Sequence, residues 1–164
     1  MCLPAALFYA RPGAAATLPG SAEGAVRLTR MYRGADGVSH FEDREVPARQ
    51  TRVGAISSWF PGGEMLFRTV PQGLFLDWHA ADDRVLIVIL RGRIEVTVGH
   101  GVTRRFGPGA IVLAEDLDGP GHQTRDVEGP RESLMIKVPP DFSVETWRRL
   151  GTEAATSDAE AGER

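Results

Sequence analysis

The chain has 164 residues, of which 42% are hydrophobic and 25% are charged, and its formal net charge is −3. This balance is typical of a single soluble globular domain, and it lacks the basic excess expected of a nucleic-acid-binding protein. The longest apolar run, 85–90, is far shorter than the roughly 20 residues of a membrane helix, so no membrane partner is expected.

The two ends of the chain differ in composition from its middle. Residues 1–24 are rich in alanine, proline and glycine, and residues 151–164 are polar and acidic, so both segments are expected to be disordered. The structured domain is therefore expected over 25–150. The single cysteine, Cys2, cannot form an intramolecular disulfide, which favours a cytoplasmic location.

Short β patterns follow one another along this domain. The alternation over 26–32 predicts a half-buried strand, and 39–43 is its return in a hairpin. Further strands are predicted over 53–60, 65–70, 74–80, 84–91, 94–98, 102–106, 110–114, 122–127 and 132–138. Only 142–150 has helical spacing, with Ser143 as a possible N-cap. About ten short strands and one short C-terminal helix predict an all-β closed barrel or jelly roll.

The strand predicted over 84–91 is apolar on both faces, whereas an antiparallel strand with one wet face would alternate. Both faces therefore require cover, from the barrel interior on one side and from a second sheet or a partner subunit on the other. Together with the hairpin around 26–32, this strand predicts a homodimer.

A group of motifs between Asp77 and Arg125 carries a family resemblance. The motifs are W-H-A-A at 78–81, L-R-G at 90–92, F-G-P-G at 106–109, E-D at 115–116 and G-H-Q-T at 121–124. In these motifs the chain resembles the cupin superfamily, and most closely its stand-alone, single-domain members. The resemblance implies a double-stranded β-helix (jelly-roll) barrel. It implies no single activity, because this barrel hosts enzymes, sensors and storage proteins.

The resemblance also implies positions for a metal site. Cupins with a catalytic metal resemble H-x-H-x(3–4)-E-x(6)-G, followed by a histidine in a second motif. His79 and His122 match two of these positions, whereas Ala81 and Val85 occupy the other two and offer no donor. Asp77 is the candidate third ligand, because residues two apart share one face of a strand. Asp77, His79 and His122 would then hold a single divalent ion of iron, manganese, nickel or zinc.

The alternative is a barrel without a metal cofactor. His79 and His122 would then be satisfied by backbone carbonyls or by each other, and Asp77 would be solvated. The pocket would still bind a small molecule through Trp78, His79, His122 and Thr124, with Arg68 and Phe75 as further candidates.

We therefore expect a small-molecule-binding barrel that is metal-free or binds metal weakly. His79 or His122 would act as the general acid or base in an isomerisation, cyclisation or elimination. Two other functions stay open: a metal-dependent dioxygenase or epimerase/lyase that uses Asp77, and a ligand sensor without catalysis. Glu115 and Asp116, ahead of His122, orient a histidine, act as a base or cap a turn.

Overall fold

The computed structural model describes residues 25–151, so the expected disordered segments, Gly151 apart, lie outside the described residues. Ten strands are present in this range: β1 (Arg27–Arg33), β2 (Ser39–Glu45), β3 (Ala48–Thr51), β4 (Gly54–Ser57), β5 (Met65–Val70), β6 (Phe75–His79), β7 (Val85–Thr97), β8 (Thr103–Phe106), β9 (Ile111–Glu115) and β10 (His122–Lys137). A 3₁₀ turn at Gly99–Gly101 is the one helical element of the described part. No helix there has the length and apolar character needed to cross a membrane.

Two long strands, β7 and β10, organise the barrel. They pair with each other antiparallel along most of their length. The first half of β7 pairs with β9 and its second half with β8, while β10 pairs first with β6 and then with β5. All strands except the separate β3–β4 pair form one continuous hydrogen-bonded sheet, which folds into two layers, here named the two sheets. Each long strand passes from one layer into the other, and β1 and β2 extend the side formed by β9. The prediction of an all-β jelly-roll barrel is confirmed.

Gly92 lies in the middle of β7, at the bend between the two sheets. Its φ is +76°, and a Cβ added there would lie 2.6 Å from the Glu128 carbonyl oxygen. Only glycine accommodates both the left-handed backbone and this close approach to β10. The sequence pattern predicts two strands in the range of β7 and two in that of β10, whereas both strands are continuous in the structure.

The barrel core lies between the two sheets. The rings of Phe41 on β2 and Phe106 on β8 meet edge-on, with centroids 5.7 Å apart. They join the two sheets where no backbone pairing connects β2 to β8. The buried apolar side chains of this core are Met31, Ile89, Ile94, Val96, Val98, Phe106, Val112 and Ala114.

The helix predicted over 142–150 is absent, and the segment is irregular, with a single turn at 145–146. Apart from one internal hydrogen bond, from the Trp147 amide to the Val144 carbonyl, its backbone bonds go mainly to β2. The Leu150 amide donates to the Asp43 carbonyl, and the Arg44 guanidinium donates to the carbonyls of Glu145 and Trp147. These bonds use groups that a helix would pair internally.

The apolar residues of this segment cover the outer face of the β1–β9 sheet. Phe142, Val144 and Trp147 are buried there against Leu28, Leu113 and Leu86. The second cover expected for 84–91 is therefore supplied in part by the chain's own C-terminal segment. Leu90, by contrast, remains half exposed.

Candidate functional site

A cavity of about 560 Å³ lies inside the barrel. This volume is in the range of sites for small organic molecules. Most of its wall is apolar and comes from both sheets, with Leu76, Ile87, Ile94, Val96, Val112 and Met135 among the lining side chains. The polar residues that also line it are Glu64, Arg68, His79, Asp82, Asp83, His122, Thr124, Arg131 and Lys137.

Pairing between β6 and β10 brings two of the predicted site residues together. His79 and His122 are direct cross-strand neighbours, and their ring centroids lie 4.4 Å apart. Gly121 makes this approach possible, because a Cβ at that position would lie 2.0 Å from the His79 carbonyl oxygen. Both residues of the G-H dipeptide therefore shape the site: Gly121 leaves space for the His79 backbone, and His122 supplies an imidazole.

Asp116 orients the imidazole of His122. The carboxylate is fully buried at the end of β9, and its Oδ2 accepts hydrogen bonds from His122 Nδ1 and from Ser39 Oγ, both at 2.8 Å. An ionised carboxylate can only accept, so Nδ1 carries the proton and Nε2 holds a lone pair. No residue of 25–151 hydrogen-bonds to that Nε2, and the ring borders the cavity.

His79 has the same tautomer, but its Nδ1 hydrogen bond goes to a backbone carbonyl and not to a carboxylate. Its Nδ1 donates to the Asp77 carbonyl oxygen at 2.7 Å, and its Nε2 has no partner among the described residues. Both rings therefore offer an Nε2 lone pair. Only His122 has a carboxylate on its Nδ1, which is the arrangement of a histidine that acts as a general base.

The carboxylate of Asp77 lies on the other face of the strand. Its Oδ1 accepts hydrogen bonds from Gln123 Nε2 at 2.7 Å and from the Trp78 amide at 2.9 Å. The Gln123 contact, followed by the Trp78 amide, lowers the pKa of Asp77 below its usual value. Neither Asp77 nor Gln123 lines the cavity.

A β-bulge explains this placement. His122 pairs with His79, but Thr124 pairs with Leu76, so three steps along β6 match two steps along β10. The extra residue breaks the alternation of faces, so Leu76 and His79 both face the cavity. The structure therefore does not bring Asp77 to the two histidines.

The other predicted ligand-binding residues divide between the two faces. Thr124 and Arg68 line the cavity. Trp78 is half exposed and does not line the cavity, and Phe75 lies in an outer cleft beneath the Arg125 guanidinium, 4.6 Å from its ring centroid. The bulge accounts for Phe75, which regular alternation would place on the same face as His79, whereas Trp78 is next to His79 and points away from the cavity by alternation alone.

Adjacent acids, Glu115 and Asp116, have different roles. Glu115 binds the guanidinium groups of Arg30 and Arg84, and Arg84 also donates to the carbonyl of Phe142 at 2.7 Å. Glu115 thereby anchors the C-terminal segment. Asp116 instead orients a histidine, which is one of the three roles that the sequence left open. Its place directly ahead of the loop to His122 was the available signal.

Among the described residues, the cavity does not bring three metal-ligating side chains close enough to share one ion. Ala81 and Val85 both line it, so the positions without donors face the same space as the imidazoles. Among residues 25–151, one group of three metal-ligating side chains is close enough to share an ion. It consists of Asp36, His40 and His100 and lies outside the cavity.

No family model and no curated protein matches the chain. Among solved structures it is similar to a conserved protein of unknown function from Streptococcus pyogenes, at 22% identity and a TM-score of 0.35, covering 46% of this chain and 75% of the other. It is also similar to an RmlC-like cupin from Desulfovibrio desulfuricans, at 14% identity and a TM-score of 0.33, covering 74% and 90%.

A third similar structure is NovW, a 4-keto-6-deoxy sugar epimerase from the novobiocin biosynthetic gene cluster of Streptomyces spheroides. The identity is 15% and the TM-score is 0.36, covering 75% of this chain and 71% of that one. Likenesses this low carry no argument about function, which depends on the residues of the site.

Proposed function

We propose that this barrel binds a small organic molecule with an anionic group and moves a proton on it through His122. One observation carries the proposal: buried Asp116 holds His122 so that an unpaired Nε2 remains beside the cavity. The Asp116 Oδ1 is itself buried without a hydrogen-bond partner among the described residues. Buried polar atoms without a partner are uncommon in folded proteins, and a catalytic role is one explanation for them.

The chemistry that follows is general acid–base catalysis. His122 Nε2 takes a proton from a carbon next to a carbonyl group, and the Asp116 carboxylate stabilises the imidazolium that forms. Return of that proton at another atom completes an isomerisation. Departure of a leaving group completes an elimination instead. Attack of the resulting enolate carbon on an electrophilic carbon of the same molecule, whose oxygen takes the proton back from His122, completes a cyclisation. His79 Nε2 is close enough to exchange a second proton with the same ligand.

Arg68 supports the choice of an anionic ligand. It lines the cavity and is partly buried, and its guanidinium makes no ion pair or hydrogen bond with any residue of 25–151. The other two cations of the lining are engaged. Arg131 binds Asp126 at 2.6 Å, and Lys137 binds Asp83 at 2.9 Å. A guanidinium with free donors is suited to a carboxylate or phosphate group.

Proton exchange in heavy water tests the proposed function. The protein is incubated in D₂O with a panel of small oxo- and hydroxycarboxylates, and loss of carbon-bound hydrogen is followed by proton NMR. Exchange or net conversion of a bound compound supports the proposal. Saturable binding of a compound without exchange or turnover would indicate a sensor instead, and absence of binding across the panel would contradict a small-molecule site for anions.

Replacement of Arg68 by glutamine is expected to weaken binding of a carboxylate ligand by about 10- to 100-fold, because a hydrogen bond to a charged group contributes about 1.5 to 3 kcal/mol. The dissociation constants are measured by calorimetry. The matched control is Arg105→Gln, since Arg105 is exposed and pairs with Glu95 away from the cavity. If the Arg68 variant and the control bind the ligand equally well, Arg68 does not bind its carboxylate.

The edge strand β5 supports the homodimer prediction better than 84–91 does. Met65, Leu66 and Phe67 are 67%, 52% and 72% exposed, and β5 pairs on one side alone within the described residues. Edges of this kind favour association. We expect a dimer by light scattering at micromolar concentration, shifted to monomer by Phe67→Lys but not by Val53→Lys in the β3–β4 turn. A monomeric parent protein would contradict this.

The cytoplasmic location stays a prediction.

A further inference from the structure

Three side chains from separate parts of the chain meet at the surface, away from the cavity. Asp36 lies in the turn between β1 and β2, His40 follows at the start of β2, and His100 forms the tip of the β7–β8 hairpin. His40 Nε2 lies 2.9 Å from each Asp36 carboxylate oxygen, and His100 Nε2 lies 3.1 Å from Asp36 Oδ2. Both imidazoles therefore point the same type of nitrogen at one carboxylate.

The backbone around the cluster is shaped to allow this meeting. A Cβ on Gly34 would lie 2.6 Å from the His40 ring and 2.8 Å from Asp36 Oδ1, so glycine leaves the space that both side chains occupy. His100 has a φ of +58°, a left-handed conformation that a residue with a side chain adopts at a cost. That conformation places the imidazole against Asp36, on the neighbouring turn.

The donor set matches a borderline divalent ion. Two imidazoles and one carboxylate are ligands that zinc and its first-row neighbours take, with bonds of about 2.0 to 2.2 Å. Ligand atoms around a tetrahedral ion are then about 3.3 Å apart. The three ligand atoms here lie within 4.8 Å of one another, so small side-chain rotations suffice. Hydrogen bonds from His40 and then His100 lower the pKa of Asp36, which keeps the carboxylate ionised.

We propose that Asp36, His40 and His100 form a surface site for one zinc-class divalent ion. The ion replaces the two Nε2 protons that now point at Asp36, and solvent completes its coordination. Because it joins the β1–β2 turn to the β7–β8 turn, bound zinc braces two hairpins of the barrel. Ser39, next to His40, donates to Asp116, so the ion also braces the strand that supports the buried carboxylate.

Zinc titration of the untagged, chelator-treated protein tests this site. Calorimetry is expected to show one zinc per chain, with affinity that falls on acidification because binding releases protons. His40→Gln and His100→Gln are each expected to weaken binding by at least roughly tenfold, since even supporting residues of metal sites contribute that much. The control is the double variant His79→Gln/His122→Gln, which removes the cavity imidazoles and is expected to retain full affinity.

A second measurement needs no variant. In the imidazole NMR spectrum, zinc is expected to shift the signals of His40 and His100 and to leave those of His79 and His122 in place. Failure of saturable binding, unchanged affinity in both surface variants, or loss of binding in the cavity variant would each overturn the proposal. None of these outcomes bears on proton exchange in the cavity, so the two proposals fail separately.

Discussion

Replacement of His122 by glutamine is expected to lower proton exchange on a bound oxocarboxylate by roughly 10²- to 10⁴-fold, the usual contribution of a positioned acid or base. Glutamine keeps a polar head near Asp116 but has no basic nitrogen to present to the cavity. The loss should therefore fall on kcat, with little change in KM, because Arg68 and the apolar wall still hold the ligand. Initial rates in D₂O over a range of substrate concentrations measure both constants.

Replacement of Asp116 by asparagine tests the orientation of His122 while leaving its imidazole in place. An asparagine amide can donate to His122 Nδ1, which favours the tautomer with the proton on Nε2 and removes the lone pair from the cavity. We expect a loss of the same order as for His122→Gln, accompanied by a changed imidazole NMR signature. Asp118→Asn is the matched control, because Asp118 lies two residues further along the same loop and its side chain is 71% exposed.

The results of these variants discriminate between the two histidines. Should exchange survive in His122→Gln and vanish in His79→Gln, the base would be His79 and the carboxylate would have a structural role. If both single variants retain full exchange activity, neither His79 nor His122 is the base.

The strands and the histidine pair follow from local patterns in the sequence. Alternation with period two predicts β1, and the glycine and proline turn signals that bound the other short runs predict β5, β8 and β9. The resemblance of the motifs around His79 and His122 to those of cupins predicts that the two imidazoles share a pocket. Gly92 is an exception to this pattern. Glycine marks a turn at other positions of the chain, but Gly92 permits a bend within one long strand.

Register and topology account for what the sequence did not predict. Asp77 and His79 share a face in a regular strand, but the bulge opposite His122 and Thr124 places them on different faces. A bulge depends on pairing with a strand more than forty residues away, so no local pattern contains it. His40 and His100 had no site signal, because only the fold brings their two turns together.

The C-terminal segment shows why spacing alone misidentified a helix. Ser143 Oγ does accept the Glu145 amide at 3.2 Å, as an N-cap would. The turn does not continue, because Arg44 takes the carbonyls of Glu145 and Trp147. Apolar residues spaced to cover a sheet can match a helical period by coincidence, and the competing partners on β2 decide the outcome.

Gly121→Ala is expected to destabilise the fold by about 2 to 5 kcal/mol, summing the cost of a left-handed alanine and of a forced backbone shift. The added Cβ would lie 2.0 Å from the His79 carbonyl oxygen and 2.5 Å from the Ala80 amide nitrogen. Both are backbone atoms of the adjacent strand, so no side-chain rotation relieves the contact. Urea unfolding measures the change in free energy.

Gly101→Ala isolates the steric part of this effect. Gly101 has a φ of +72°, against +71° for Gly121, but no atom lies within 4 Å of its added Cβ. The control should therefore lose only about 1 to 2 kcal/mol, the cost of the left-handed conformation. In Gly121→Ala the strand of His79 must also move away from His122, so exchange activity should fall in the folded protein. Equal losses of stability and activity in the two variants would mean that contact between β6 and β10 at Gly121 does not position the imidazoles.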